Sequence, residues 1–208
     1  LAEIAISGLE PHSSVDWPGE LVAVLFCQGC PWACRYCHNT ALIPAGPGTI
    51  PWDQVADLLT RRRGLLDGVV ISGGEPTLQK GLADALREIR AMGFRTGLHT
   101  GGPYPARLAE VLPRLDWVGF DVKAPFDAYD RITGAPGSGA KARDSLILLR
   151  DSGVAFDLRT TVHPALLGPA DLSRMDANLA ALALPPSRRQ PFRAAGCTDQ
   201  ALCDVACP

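Results

Sequence analysis

From residue 21 onward the chain alternates short apolar runs with longer segments whose apolar positions recur at helical spacing. Residues 21–26, LVAVLF, form a continuous apolar run between Pro18-Gly19 and a cysteine-rich stretch, as expected for a buried strand. PAGPGTIP (44–51) is too rich in proline and glycine for regular structure, and WDQVADLLTRR then carries Val55, Leu58 and Leu59 at helical spacing. GVVISGG (68–74) reads as a second strand, followed by the helix LQKGLADALREIRAMG, closed by Gly93. RTGLHTGG (95–102) and WVGFDVKA (117–124) read as strands separated by the helix YPARLAEVL (104–112). An irregular GAPGSGA stretch (134–140) precedes the helix ARDSLILLRDSG, the strand VAFDLRTTV (154–162) and a helix over 170–184. RRQPFRA (188–194) is a sixth strand candidate that Pro191 restricts to an edge or an end.

Alternation of this kind predicts a parallel sheet with helical crossovers. Five or six units fall short of a closed eight-fold barrel, so an incomplete barrel and an open doubly wound sheet both fit. In either, ligands gather at the C-terminal ends of the strands. The cysteine loop, Gly73-Gly74-Glu75-Pro76, His99-Thr100-Gly101-Gly102 and Asp121-Val122-Lys123 all fall on that rim. No second domain and no repeat beyond the βα alternation is visible.

The formal charge of −2 gives no electrostatic case for nucleic acid or an anionic membrane, and no apolar run has the length of a membrane span. Arg61-Arg62-Arg63 reads as the solvated end of a helix. No charged-then-apolar leader precedes the first elements, which argues against secretion. Seven cysteines fall in two clumps, at 27–37 and 197–207, and clumped cysteines in such a chain point to a reducing, cytoplasmic setting and to metal.

FCQGCPWACRYCHNT holds Cys27, Cys30, Cys34 and Cys37. A structural zinc site wants two CxxC pairs separated by a longer loop, so four cysteines here are cramped. A ferredoxin-type run is spaced differently, and a redox CxxC leaves two of the four without a role. A fourth reading takes Cys30-x3-Cys34-x2-Cys37 as three thiolates on a tight loop that hold three irons of a 4Fe–4S cube and leave one iron open. Cys27, near the end of the first strand, then reads as a small core hydrophobe.

CxxxCxxC with Tyr36 just before its third cysteine resembles the signature of the radical S-adenosylmethionine superfamily, and Gly73-Gly74-Glu75 resembles its GGE segment. The upstream SxVDxPG, the QGC entry and the CxYCHN exit resemble the glycyl radical enzyme activating proteins. VDWPG, SGGEPTLQ, FDVKAP and RTTVHP together are most similar to the activating proteins of anaerobic ribonucleoside-triphosphate reductase. The resemblance runs from about Gly8 to Arg193. It implies an incomplete (β/α)6 TIM-like barrel, parallel strands with outer helices, over residues 1–194, leaving 195–208 as a cysteine-containing tail.

The resemblance also implies the site. Cys30, Cys34 and Cys37 hold the 4Fe–4S cluster, Tyr36 lies beside the adenine of S-adenosyl-L-methionine, and Gly73, Gly74 and Glu75 cradle its methionyl end. Thr100 matches a threonine of relatives that read TNG, although Gly101 here replaces the asparagine. Asp121 and Lys123 match the DxK pair that faces the ligand and, with the cluster cysteines, form the catalytic set. His163 is a further ligand contact or an ordinary loop histidine, and His38 and Asn39 are placed to tune the cluster through hydrogen bonds. The implied activity is reductive cleavage of S-adenosylmethionine to a 5′-deoxyadenosyl radical that takes hydrogen from a backbone glycine of a partner enzyme. The electron comes from a flavodoxin- or ferredoxin-type donor. The few elements beyond the core motifs fit a macromolecular substrate. Two alternatives stand beside this: a small-molecule radical enzyme such as a 7-carboxy-7-deazaguanine synthase, in which QGEG would replace VDWPG, and a non-catalytic iron–sulfur or zinc module. Cys197, Cys203 and Cys207 read either as a second metal site or as a tail of reduced thiols.

Overall fold

The computed structural model describes residues 3–205. Among these, one sheet runs in the order β1 (Ile6–Ser13), β2 (Val22–Cys27), β3 (Gly68–Gly73), β4 (Arg95–Thr100), β5 (Trp117–Asp121), β6 (Ala155–Val162) and β7 (Arg188–Pro191). β1 pairs antiparallel with β2, and β2 through β7 are parallel. Helices fill the crossovers: α1 (Trp52–Arg61), α2 (Leu82–Ala91), α3 (Pro105–Val111), α4 (Tyr129–Thr133), α5 (Ser138–Asp151) and α6 (Pro169–Ala181), with a short α7 (Gln200–Cys203) beyond the last strand.

Each strand neighbours its successor, so every right-handed crossover turns the same way and the helices collect on one face. A doubly wound sheet would reverse its order at a switch point. This one does not, and β1 and β7 form its two edges. The architecture is therefore the incomplete (β/α)6 barrel. β7 lies at an edge and ends at Pro191, which has no N–H to offer a further neighbour.

Two segments differ from the pattern read in the sequence. β1 was not expected, because ISGLEPHS lacks a continuous apolar run. It pairs with β2 on one side and on the other carries only a single bridge, from Ile6 to Ile50, with its Pro11 tolerated at an edge. The GAPGSGA stretch is irregular only in its first half, since α5 begins at Ser138. Asp130 of α4 supplies the cap from a distance, accepting from the Gly137 N–H at 2.9 Å, the Ser138 N–H at 3.0 Å and the Ser138 hydroxyl at 2.8 Å.

Alternation along the strands divides the side chains. Ala23, Leu25 and Cys27 of β2, Val69 and Ile71 of β3, Leu98 of β4 and Val118 and Phe120 of β5 join the helices in one buried cluster. Val22, Val24, Val70 and Trp117 face the concave side and pack on Trp17 from the loop before β2. Trp17 stacks on Trp117 with ring centroids 5.3 Å apart, and Arg95, at the start of β4, lies over Trp17 and pairs with Glu20. This plug closes the N-terminal end of the barrel. Among the described residues no helix is long and apolar enough to cross a membrane.

Candidate active site

The loop after β2 carries the cysteines and is pinned on both sides. Gly29 and Cys30 N–H groups donate to Leu42 and Ile43 carbonyls at 2.8 and 3.0 Å, and Ala33 and Arg35 donate to Thr133 and Ile132 at the end of α4. Cys30, Cys34 and Cys37 are half-buried, whereas Cys27 is fully buried at the end of β2 and packed in the main core. Burial pushes the Cys27 thiol pKa well above its ordinary value, with nearby Glu75 adding to it. Burial also raises Cys30, to about 12, and Cys34, where the Lys123 ammonium pulls the other way.

The turn after β3 is stitched onto this loop. Gly74 N–H donates to the Cys27 carbonyl and Glu75 N–H to the Gly29 carbonyl, both at 2.9 Å, and the Gln79 side-chain amide donates to the Gln28 carbonyl at 2.7 Å. Both glycines are required by this contact. Gly73 has φ +107°, and a Cβ there would lie 2.3 Å from the Cys27 nitrogen; on Gly74 it would lie 2.3 Å from the Gly29 carbonyl oxygen. The close approach that excludes a side chain is thus between two backbone segments.

Glu75 is buried. Its Oε1 accepts from Thr77 N–H at 3.0 Å, Thr77 hydroxyl at 2.6 Å and Thr100 hydroxyl at 2.7 Å, and its Oε2 accepts from Gly101 N–H at 3.1 Å. Burial raises its pKa, and the hydrogen bonds from Thr77, Thr100 and Gly101 oppose that rise. Thr100 therefore spends its hydroxyl on positioning Glu75. Gly101, in the place of the asparagine of TNG, leaves room for the Trp32 ring, to within 2.5 Å of which a Cβ would come.

Asp121 and Lys123 are 3.9 Å apart, and the stronger partner of Asp121 is Arg159 on β6, whose Nε and Nη2 lie 3.0 and 2.9 Å from Asp121 Oδ1. Burial would raise the Asp121 pKa, but Arg159 and Lys123 outweigh it and hold the carboxyl below its usual range. Lys123 sits over the Tyr36 ring, 5.7 Å from its centroid. Burial opposes its ammonium, yet Tyr36, Cys34 and Asp121 around it hold its pKa up.

Arg159 also approaches His99, Nη1 to Nε2 at 3.0 Å. The same Nε2 lies 2.8 Å from the Asp16 carbonyl, and Nδ1 is 3.0 Å from the Ser72 hydroxyl. One ring nitrogen cannot both donate to Asp16 and accept from Arg159, so the neutral ring serves one of them at a time. Arg159, His99 and Ser72 form the polar middle layer of the barrel interior and were missed in the sequence. Period-two alternation from the inward Gly97 would have placed His99 on the concave face, whereas Arg159 needs the register that pairs it with Asp121.

His163 is buried with both ring nitrogens engaged: Nδ1 accepts from Ala165 N–H at 3.1 Å, and Nε2 donates to the Leu202 carbonyl at 3.0 Å. It seats the tail and does not face the rim. His38 is exposed and Asn39 half-buried. Among the described residues no group of three or more His, Cys, Asp or Glu side chains converges as a single-ion site; Cys207 lies outside them. Three soft thiols on a pinned loop suit iron held as a cluster, where separate irons take separate thiolates.

The sequence profile of the Radical SAM superfamily matches residues 24–171. The chain is 32% identical over 181 residues to a pyruvate formate-lyase-activating enzyme of Clostridium pasteurianum, covering 84% of this chain and 75% of that one. It is 29% identical over 177 residues to a Methanocaldococcus jannaschii protein named as a glycyl-radical enzyme activating enzyme, covering 80% and 72%. Among solved structures, TYW1 with a lysine-pyruvate adduct superimposes with a TM-score of 0.64 at 16% identity, covering 86% of this chain and 67% of that chain, a likeness of fold.

Proposed function

Because the chain belongs to the radical SAM superfamily, and within it to the activating enzymes of glycyl radical enzymes, we propose that it installs the glycyl radical of anaerobic ribonucleoside-triphosphate reductase. The observation that carries the site is the junction of the Gly73–Glu75 turn with the cysteine loop, which sets a buried carboxylate against the loop that carries the three thiols. When bound, the family's 4Fe–4S cluster supplies the electron that cleaves S-adenosylmethionine. Cys30, Cys34 and Cys37 hold that cluster, and the pinned loop fixes their spacing. Glu75 Oε2, which accepts fewer hydrogen bonds than Oε1, takes the methionyl ammonium, with Gly73 and Gly74 bringing the turn to the cluster loop. Tyr36 packs beside the adenine. Lys123 and Asp121 orient the polar groups of the ligand, with Thr100 and Arg159 as the residues that position Glu75 and Asp121.

The choice of partner is supported by VDWPG, SGGEPTLQ, FDVKAP and RTTVHP, and by the open side of an incomplete barrel, through which a glycine-bearing loop can enter. A flavodoxin- or ferredoxin-type protein in the cytoplasm donates the electron. The test is anaerobic: reconstituted protein, dithionite, S-adenosylmethionine and the purified reductase should give a glycyl-radical doublet by EPR, with 5′-deoxyadenosine formed in step. A doublet on pyruvate formate-lyase but not on the reductase would replace the partner. Full turnover on a small heterocycle would replace the function.

A further inference from the structure

The cysteines beyond the last strand take no part in the chemistry above, yet their segment lies on the cluster loop. Residues 194–205 cross that loop as a strap. A Cβ on Gly196 would come within 2.2 Å of the His38 carbonyl oxygen, so the strap rests on the loop backbone. Asp199 pairs with Arg35 at 2.8 Å, and the Cys197 thiol points at the Arg35 carbonyl at 3.5 Å. Arg35 lies between Cys34 and Cys37. The far end is anchored by Leu202, which is buried and accepts from His163 Nε2 at 3.0 Å.

Between these anchors the chain folds back on itself. Asp199 opens α7, and Cys203 N–H returns to the Asp199 carbonyl at 3.1 Å. The reversal sets the Cys203 thiol 3.8 Å from the Cys197 carbonyl oxygen and 4.0 Å from that of Ala194. Both cysteines are half-exposed and packed on the edge of the core. After partial desolvation, the Cys197 thiol is the next largest influence holding the Cys203 pKa up, as expected of neighbouring sulfurs.

We propose that Cys197 and Cys203 form a reversible dithiol–disulfide site, closed by exchange with a small disulfide such as oxidised glutathione. The Cys197 thiolate attacks the small disulfide and releases one thiol. Cys203 then displaces the second from the mixed disulfide. In sum two protein thiols lose two protons and two electrons in forming one S–S bond, and the small disulfide takes these up to become two thiols. The ring encloses only five intervening residues, so closure removes little chain entropy and the bond stays reducible, in keeping with a redox-responsive role in a reducing compartment. Its placement ties the state of the strap to Arg35 and so to the loop that carries the cluster thiols.

The test uses the full chain, purified anaerobically with its iron and titrated with oxidised and reduced glutathione. Alkylation of free thiols and peptide mapping should show a Cys197–Cys203 crosslink in the parent chain and in Cys207→Ser, none in Cys197→Ser or Cys203→Ser, and unchanged iron in all four. A crosslink to Cys207, glutathione held on single cysteines, or thiols that stay reduced until iron is lost would each overturn the proposal. So would a bound zinc or extra iron in the parent chain that Cys203→Ser lacks, because the thiols would then be ligands.

Discussion

Cys27 and Cys34 are seven residues apart and have opposite tasks. Cys27 is enclosed by the core on β2 and kept as a neutral thiol, while Cys34 sits on the rim under the influence of Lys123. Cys27→Ala should retain iron and S-adenosylmethionine cleavage at a stability cost of about 1 kcal/mol for a small cavity. Cys34→Ala should lose both iron and cleavage, read by iron quantitation and 5′-deoxyadenosine yield. The reverse pattern would exchange their roles. Arg159 is the residue on which the reading of the rim most depends. Its guanidinium is the nearer partner of Asp121, so Arg159→Met should leave Asp121 held by Lys123 alone. The expected result is about a tenfold loss of kcat/KM, roughly 1.4 kcal/mol. It should come with a weakened change in the EPR spectrum of the reduced cluster on adding S-adenosylmethionine, and partial recovery in Arg159→Lys. Cysteines, glycines and the DxK pair were legible because they occur as contiguous motifs. Arg159, His99 and Ser72 were not, since they lie on three different strands outside any contiguous motif and only the pairing register brings them together.

At the level of elements, the site is made by the contact of two βα junctions. The carbonyls of the β2 loop accept the N–H groups of the β3 turn, so β2 and β3 deliver thiols and carboxylate as one unit. Gly73→Ala tests this, because its Cβ would meet the Cys27 backbone and its φ lies where alanine is strained. A cost of at least about 1 kcal/mol is expected from the left-handed conformation alone. The collision should also push the cysteine loop off the turn, so that iron retention falls together with the melting midpoint; unchanged iron content would separate the two junctions. The parallel strands were readable from their apolar runs, and their sequential order, which no propensity encodes, decided between the two architectures. β1 was hidden for a physical reason: an edge strand with one strand partner, joined on its other side only by the Ile6–Ile50 bridge, needs no continuous apolar run. The start of α5 was hidden because its cap, Asp130, belongs to another helix.

For the whole molecule, the barrel interior is layered: an aromatic plug of Trp17 and Trp117 at one end, the thiols and carboxylates at the other, and His99 with Arg159 between them. This layering makes stability depend on pH through His99. Burial first, and the Arg159 charge next, lower its pKa from 6.5 to about 4. Between those values the unfolded chain takes up a proton that the folded chain refuses, so stability rises with pH across the window. The contribution is fully present above the unfolded pKa, declines as pH falls, and levels off below the folded one. It amounts to about 2 kcal/mol lost on going from about pH 7 to about pH 5. Glu75, whose pKa burial raises, works in the opposite sense, and Asp121, whose pKa is depressed, loses its contribution at lower pH. Both are shared by His99→Gln, which removes only the titrating ring and keeps a hydrogen-bonding side chain. Melting midpoints at one scan rate should therefore fall more steeply with acid in the parent chain than in His99→Gln. Equal slopes would mean that His99 takes up its proton in the fold as easily as outside it, and that the middle layer has no hold on its charge.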